Sequence, residues 1–544
     1  MKNGFRQSMA WLHTWTGLLV GWLLLLIFMA GTASYYREEI SRWMRPELPA
    51  TLVSTDLAAQ RAVHFLQENA GNAETWFVTL PDPRNPAMRL FWRNPASMVK
   101  PPAEGERRRR GGRFGDATVD PNTGGKLQAR ETRGGDFFYR LHFDLHYIPV
   151  LWARYLVGFC AMFMLVAIIT GVITHKKIFK DFFTFRPDKG LRSWLDFHNV
   201  SAVMALPYHA MITYTGIVTL MVMYLPWGVK VAYADDEGAF FSEAFGGLPE
   251  VATPAEGRAA PLPIQQLLDS ARAHWHGAEV SGFSVTSPGA ANAVIDIRQR
   301  DGRRLSSDTP ALRYDMASGR LLQESSDAGA ATATRGVMYG LHLGRFADWG
   351  LRALFFLSGL AGCLMVASGV VLWAVKERPK HAKRGRTGFG LRLVDALNIG
   401  AVAGLPIAFA AYFLGNRLIP LEVAARADVE IRVFFLAWAA ALLAAFIRPK
   451  RMMWAWQLYL GAALFALVPL VNALTTQAHL GVTLRSGDWV LAGFDLVMLA
   501  FAAMLAMCGW RMQRWQPSLS AAEKKKRQAA VGMPRSPATQ EANA

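Results

Sequence analysis

Histidines beside long apolar stretches are the residues of this sequence best suited to chemistry. Seven of the twelve histidines lie in or at the ends of the first four apolar stretches: His13, His142, His146, His175, His198, His209 and His342. Ionisable side chains in or beside a membrane-spanning helix are costly to bury and usually serve a function. The four later apolar stretches contain no histidine. This distribution indicates a binding or redox role for the first part of the chain.

The seven histidines fall into two layers by their position along the predicted helices. The layer at the ends that we expect to face the cytoplasm consists of His13, His175 and His198. The layer at the opposite ends consists of His142, His146 and His342. His209 follows His198 by eleven residues, close to three helical turns, which places it on the same helix face about 16 Å deeper. Histidines at two depths of one helix bundle can hold haems stacked across a membrane.

The elements that must position these histidines are transmembrane helices. The composition is 52% hydrophobic and only 18% charged, whereas soluble domains carry about 25% charged residues. A hydrocarbon core of about 30 Å takes about 20 helical residues to cross. Apolar runs of this length recur near 11–35, 149–174, 199–226, 351–375, 396–415, 431–447, 453–474 and 489–510. We therefore predict an all-α polytopic membrane protein of about eight transmembrane helices.

The net charge of +18 follows the predicted membrane topology. Lys and Arg are concentrated in alternate short loops, with six in 175–195 and seven in 376–392. By the positive-inside rule, both termini then lie in the cytoplasm, and the two long polar segments 37–145 and 227–341 lie outside. The basic charge is explained by topology, so we expect contact with membrane lipid and no binding of nucleic acid.

Several kinds of chemistry are excluded by what the sequence lacks. Cys160, Cys363 and Cys508 each lie inside a predicted span and no CxxC motif occurs, which excludes thiol redox chemistry, zinc ribbons, iron–sulfur clusters and disulfides in the outer segments. No nucleotide-binding glycine motif occurs either, so electrons must come from a separate donor. An arginine run at 107–110, in the first outer segment, is interpreted as a solvated loop tip.

The first 375 residues contain an internal duplication. His13 and His198 begin matching stretches, and the sequence YRLH at 139–142 matches YGLH at 339–342. Each unit is a helix, an outer segment and a second helix, and two copies in one direction imply a pseudo-two-fold axis along the membrane normal. Residues at equal positions of the two copies can then approach one flat ligand from opposite faces. Two axial imidazoles hold a six-coordinate haem in this way.

Each outer segment is predicted to be a small α+β module. The helices are expected at 55–69 and 263–275 and the strands at 76–80, 88–92, 282–285 and 293–298. Each module then has an Asp-x-x-Thr/Ser-Gly sequence, at 120–124 and 315–319, that predicts a tight hairpin turn. The resulting boundaries are helix 1 at 1–36, outer module 1 at 37–145, helices 2 and 3 at 146–226, outer module 2 at 227–341, helix 4 at 342–378, helices 5–8 at 393–510 and a basic cytoplasmic tail at 511–544.

Some of the histidines have plainer interpretations. A lone histidine at a helix end is commonly an interfacial residue, and His175, beside two lysines, fits this description best. His64 and the histidines of 274–276 are expected on the surface of soluble helices. Two arguments disagree on the residue opposite His342. The repeat favours His142, whereas the greater distance of His142 from the predicted span favours His146. His209 could replace either of them. Small residues along the first four stretches allow close approach to a porphyrin or ordinary helix packing: Gly17, Gly21, Gly31, Gly158, Gly171, Gly216, Gly359, Gly362 and Gly369.

The motifs resemble one known family. LHTWTGL at 12–18, GVITHKKIFKDFFTFRP at 171–187 and SWLDFHN at 193–199 are similar to the PepSY-associated transmembrane family, and the two outer modules resemble PepSY domains. The resemblance covers about residues 5–380. It implies an iron-regulated, multi-pass protein of the bacterial inner membrane, similar to haem-containing reductases of ferric siderophores in the periplasm.

The resemblance also implies a function for the histidine layers. Two b-type haems are expected, one with axial ligands His13 and His198, the other with His342 and either His142 or His146. Electrons from quinol or a cytoplasmic reductase would pass outward to a ferric siderophore, because reduction to Fe(II) weakens binding by hard oxygen ligands. The expected activity is that of a haem-dependent ferric-siderophore reductase. The alternative is a non-redox PepSY membrane protein, either a peptide- or protease-binding module or a siderophore permease.

Overall fold

The computed structural model describes residues 4–514 except 50, 97–112, 176–177, 179, 181–183, 188, 235, 246–247, 249–256, 301–303 and 326–328. The arginine run at 107–110 and most of the predicted tail at 511–544 lie outside the described residues. Within the described part of the chain, seven helices are long and apolar enough to cross a membrane. The chain is therefore a mostly helical, multi-pass membrane protein with a small antiparallel sheet.

The first repeat supplies the N-terminal helix of the bundle, three strands and a second long helix. In chain order its elements are α1 (Phe5–Ser34), α2 (Arg37–Trp43), α3 (Thr55–Ala70), β1 (Thr75–Thr79), β2 (Met88–Arg93), β3 (Phe114–Val119), α4 (Asp136–Asp144) and α5 (Val150–Thr174). The helix predicted at 55–69 and the strands predicted at 76–80 and 88–92 agree with α3, β1 and β2 within about one residue.

The second repeat has the same order of elements, but among the described residues its first long helix is divided, three short helices instead of one precede the helix of the sheet, and it has four strands instead of three. Its elements are α6 (Leu191–Met204), α7 (Leu206–Thr219), α8 (Met221–Tyr224), α9 (Trp227–Tyr233), α10 (Glu237–Phe245), α11 (Ile264–His274), β4 (Val280–Thr286), β5 (Val294–Gln299), β6 (Ala311–Asp315), β7 (Leu321–Glu324), α12 (Ala330–Leu343) and α13 (Trp349–Lys383).

The apolar stretch near 199–226 is not one continuous helix as the sequence suggested. It is divided into α6 and α7 at Ala205, where φ is −113° and ψ is 23°. Pro207 explains the break, because a proline lacks an amide hydrogen and its ring clashes with the carbonyl four residues earlier. Seven of the eight predicted stretches therefore form continuous helices of spanning length in the described part of the chain.

The two outer modules, predicted as separate units, share one sheet. Its seven strands have the order β3-β2-β1-β4-β5-β6-β7 and all neighbours are antiparallel. The junction is the pair β1 and β4, in which Trp76 lies opposite Val285. An exposed strand edge carries unpaired backbone groups, and this pairing satisfies the edge that each module would otherwise expose. The helices α3 and α11 cover one face of the sheet, where Leu66, Leu268 and Phe283 are fully buried.

Both predicted hairpin turns are confirmed. Gly124 and Gly319 have φ of 77° and 70°, and their amides donate hydrogen bonds to the carbonyls of Asp120 and Asp315, at 2.8 and 2.9 Å. In the second turn the hydroxyl and amide of Ser318 donate to the Asp315 carboxylate, which lowers the pKa of that carboxyl group. Glycine is required here because the left-handed region is strained for other residues.

The remaining helices form a C-terminal extension, which we define as residues 389–514. It comprises α14 (Phe389–Asn398), a π-helical segment (Ile399–Ala403), α15 (Gly404–Leu418), α16 (Arg426–Ile447), α17 (Arg451–Thr475), α18 (Leu480–Ser486) and α19 (Trp489–Arg514). It packs beside the bundle of the two repeats, in which α1 lies against α5 and α13, α6 against α13, and α7 against α5.

Candidate functional site

The first histidine pair joins the two repeats at the membrane end farther from the sheet. The ring centres of His13, on α1, and His198, on α6, are 6.2 Å apart. His13 donates from Nδ1 to the Ala167 carbonyl of α5 at 2.8 Å. His198 donates from Nδ1 to the Met365 carbonyl of α13 at 3.0 Å. Each imidazole is thus held by a helix other than its own.

The second pair has the same construction at the sheet end of the bundle. The ring centres of His142, on α4, and His342, on α12, are 6.1 Å apart. Nδ1 of His142 lies 2.8 Å from the Ile27 carbonyl of α1. Nδ1 of His342 lies 3.1 Å from the Ile212 carbonyl of α7. The two pairs are therefore built from matching positions of the duplication.

The hydrogen bonds at Nδ1 determine which nitrogen of each ring is available. A carbonyl oxygen can only accept a hydrogen bond, so each Nδ1 carries the proton and each Nε2 keeps its lone pair. No hydrogen bond to any of these four Nε2 atoms is formed among the described residues. A ligating histidine commonly donates its other N–H to a backbone carbonyl in this way, which fixes its tautomer and orientation.

A glycine on the neighbouring helix supports each imidazole. It stands four residues after the residue whose carbonyl accepts from Nδ1, hence one helical turn further. A Cβ atom built on this glycine would lie between 2.7 and 3.3 Å from the Cε1 atom of the histidine. The four glycines are Gly31, Gly171, Gly216 and Gly369. Ordinary helix packing was the plainer interpretation of these residues, but in the structure they make room for the imidazoles.

The separation of the rings fits an iron between them. Metal bonds to imidazole nitrogen are about 2 Å long, so two imidazoles that held one metal ion between them would have ring centres about 6 Å apart. Within the described part of the chain, no group of three or more His, Cys, Asp or Glu side chains could hold a metal ion. A metal at either pair must therefore bring most of its own ligands, and the iron of a porphyrin does so.

The separation of the two pairs follows from helix α1. This helix carries His13 near one end and the Ile27 carbonyl, the acceptor of His142, 14 residues later. At 1.5 Å per residue the two levels are about 21 Å apart. The separation of the two pairs is therefore about two thirds of the thickness of a hydrocarbon core of about 30 Å.

The structure places the other three candidate histidines outside these pairs. The His146 ring stacks on Phe435 of the extension, with ring centres 5.6 Å apart, so His142 is the residue that faces His342. His175 contacts Asn199 through Nε2 at 3.0 Å. His209 is fully buried, and its Nε2 lies 3.3 Å from the Ser358 carbonyl.

Sequence reasoning identified the histidines but not the groups that orient them. The carbonyls of residues 27, 167, 212 and 365 are backbone atoms, and any residue type can supply them. The signal that could have revealed them is the spacing of the glycines, since each comes four residues later. In three of the four cases a hydroxyl residue also precedes the glycine directly: Thr170, Thr215 and Ser368.

Comparison with known proteins agrees with the motifs. Residues 10–376 match the family described as the PepSY-associated TM region. The uncharacterized protein PA4219 of Pseudomonas aeruginosa is 30% identical over 374 residues, which cover 66% of this chain and 91% of that protein. The family match contains all four paired histidines and ends before the C-terminal extension. The chain therefore belongs to the PepSY-associated transmembrane family, as the motifs at 12–18, 171–187 and 193–199 predict.

Proposed function

We propose that this protein transfers electrons across the bacterial inner membrane and reduces a ferric siderophore in the periplasm, as a haem-dependent oxidoreductase. The observation that carries the proposal is the pair of facing imidazoles found twice, His13 with His198 and His142 with His342. In each pair the ring centres are about 6 Å apart, and among the described residues neither Nε2 atom forms a hydrogen bond. The electron donor is proposed to be a quinol or a cytoplasmic reductase.

The residues of the two sites fit b-type haem. A haem bound at each pair would supply reversible one-electron chemistry. Four carbonyls hold the imidazoles in the Nδ1–H tautomer, so that each Nε2 keeps a lone pair that can bind a metal. The glycines leave space on the neighbouring helices, and the apolar bundle keeps water away. His146 is not part of the ligand set that we propose.

The sheet is the proposed binding element for the ferric siderophore. Its hairpins reach the bundle near the second pair, since Arg84 of the β1–β2 loop pairs with Glu39 at 2.7 Å and the Ser307 amide donates to the Gly336 carbonyl of α12 at 2.9 Å. The sheet face opposite α3 and α11 carries Arg298, which forms no ion pair within 4 Å in the described part of the chain. Such a face suits an anionic chelate.

The proposed topology has both termini in the cytoplasm and the sheet in the periplasm. Strands β1 and β4 are hydrogen-bonded neighbours, so they lie on the same side of the membrane. The chain between them crosses once through α5 and must cross back before β4. This requirement supports an eighth crossing, formed by α6 and α7 together. The loop at 175–195, between α5 and α6, is rich in Lys and Arg, which supports its location in the cytoplasm.

One observation favours the non-redox alternative in which the sheet binds peptides. Phe77, Phe91 and Phe114 lie side by side on neighbouring strands, with ring centres 5.9 and 5.3 Å apart. Each is 37–40% exposed, and exposed apolar patches commonly mark interaction sites. A permease is less well supported, because rocking of two repeats against each other would strain the sheet that joins them.

A haem assay separates the redox proposal from this alternative. We expect the purified protein to contain about two b-type haems per chain by the pyridine haemochromogen method. In sealed proteoliposomes, a reductant enclosed on the side of the termini should reduce a ferric siderophore added to the side of the sheet. A colourless protein that nevertheless folds and binds peptides would overturn the proposal.

The glycine supports predict a selective loss of one haem. Replacing Gly216 by leucine should displace the His342 ring, because the added Cβ alone would lie 2.9 Å from its Cε1 atom. We expect haem content to fall from about two to about one per chain. Gly493→Leu is the matched control, since Gly493 has no neighbour within 4 Å of an added Cβ. Equal haem content in both variants would contradict the proposal that Gly216 makes room for the His342 imidazole at a haem site.

A further inference from the structure

The C-terminal extension lies beyond the matched family region, which ends at residue 376, and its contacts with the two repeats differ at the sheet end. There it packs on α4, the helix that carries His142. The repeat mate of α4 is α12, which carries His342 and packs against α7 and α10. The difference has a counterpart in the sequence, because Phe137 and Phe138 of α4 correspond to Val337 and Met338 of α12.

Aromatic stacking joins the start of α4 to the extension. Phe138 stacks on Phe409 of α15 with ring centres 4.6 Å apart and planes at 6°. Phe137 contacts Tyr412 at 4.8 Å and Phe434 at 5.1 Å. All five side chains are buried. The first turn of α4 is thus enclosed by rings of the extension, and His142 follows one turn after Phe138.

Polar contacts hold the loop that leads into α4. The Tyr412 hydroxyl donates to the Gly134 carbonyl at 3.0 Å. Arg426 donates to the Glu131 carbonyl at 3.1 Å, and the Thr132 hydroxyl donates to the Glu430 carboxylate. The residues of the extension that make these hydrogen bonds, Tyr412, Arg426 and Glu430, all belong to α15 or α16.

The end of α4 is held by the extension as well. Leu145, His146 and Tyr147 follow the helix with φ of 53°, 46° and 48°, a conformation that side chains other than glycine rarely adopt. In this turn the His146 ring stacks on Phe435 at 5.6 Å and the Tyr147 ring contacts Phe435 at 5.0 Å in a tilted arrangement. A nine-residue helix is too short to be stable alone, so its position depends on its neighbours, which are α1, α2 and α5 of its own repeat together with these rings of the extension.

We propose that the C-terminal extension is a positioning element that clamps α4 at both ends and so holds His142 opposite His342 as an axial ligand. This inference rests on the proposed haem function. It assigns a role to the last helices of the chain and makes Phe409 and Phe435 positioning residues. It also makes the orientation of His142 sensitive to the extension, whereas the carbonyls that orient His13 and His198 belong to α5 and α13.

The inference is tested by a substitution in the extension that weakens its contacts with α4 and leaves the sequence of α4 unchanged. Phe409→Ala should free His142 and open one coordination position, so that carbon monoxide binds one reduced haem per chain at least tenfold faster than in the wild type. Phe409→Tyr should restore slow binding. Phe465→Ala is the matched control, because Phe465 is buried inside the extension against Phe501, at 5.6 Å, and does not contact α4.

Hydrogen exchange of the same variants gives a readout that needs no haem. Amides of Asp136–Asp144 should exchange at least tenfold faster in Phe409→Ala, while those of Ala330–Leu343 should not change. Equal carbon monoxide binding in Phe409→Ala and Phe465→Ala, or equal loosening of both helices, would overturn the clamp. A wild type without haem would instead overturn the proposed function and the ligand role of His142, and the exchange result would still decide whether the extension holds α4.

Discussion

Replacing His198 by alanine is expected to remove one haem per chain and to stop reduction of ferric siderophore by a donor on the side of the termini. The remaining haem, at His142 and His342, should still be oxidised by ferric siderophore after chemical reduction. His342→Ala should give the reverse result, in which the donor still reduces the remaining haem but ferric siderophore no longer oxidises it. The reason is the separation of the two pairs by about 21 Å along α1.

The two variants are compared by haemochromogen content and by stopped-flow spectra of the α band. Each should keep about one haem, and the ferric reduction rate should fall at least a hundredfold, because loss of a pair interrupts the only row of sites that we propose. The control is His175→Ala, which removes a histidine of the same layer as His198 and should keep both haems. Identical spectra and identical kinetic blocks in His198→Ala and His342→Ala would argue for one shared site.

Replacing Glu430 by alanine is expected to destabilise the folded protein by roughly 3 to 5 kcal/mol, because it leaves a buried charge without its partner. Glu430 and Arg426 are 0% and 1% exposed as side chains and form an ion pair within α16. Asn416 also donates to the Glu430 carboxylate at 2.8 Å. Removing the carboxylate deprives all these donors of their acceptor in a region that water does not reach.

The measurement is unfolding of the variant in mixed micelles, followed by helical circular dichroism. Glu377→Ala is the control, since Glu377 pairs with Lys380, whose side chain is 59% exposed, and exposed pairs contribute about 0 to 1 kcal/mol. A loss of less than about 1 kcal/mol in Glu430→Ala would show that the pair is not essential to packing of the extension.

The histidine pairs could be anticipated from the sequence because the duplication repeats their spacing. His13 and His198 occupy equal positions in two copies of one pattern, and so do His142 and His342. A pseudo-two-fold axis brings equal positions together, so the pattern predicts facing side chains without knowledge of the packing. The family and the multi-pass topology follow from the same stretches, and the family is confirmed.

The choice between His142 and His146 depended on interactions that no spacing contains. The His146 ring stacks on Phe435, which lies about 290 residues later in the chain, and therefore does not face His342. The shared sheet was missed for a similar reason, because pairing of β1 with β4 joins segments that the sequence presents as two complete modules. The break at Ala205 was readable in principle, since Pro207 stands inside an apolar stretch.

The pairing of β1 with β4 also has a consequence for biosynthesis of the protein. Phe77 and Ser284 are neighbours in the sheet, but the ribosome adds about 200 residues, including α5, α6 and α7, between the synthesis of the first and of the second. During this time the first module has an open strand edge, which invites association with other chains. Contacts so distant in sequence form slowly. Insertion of α6 and α7 therefore sets the time at which the sheet can close, and a chain stalled before β4 would be a target for chaperones or proteases.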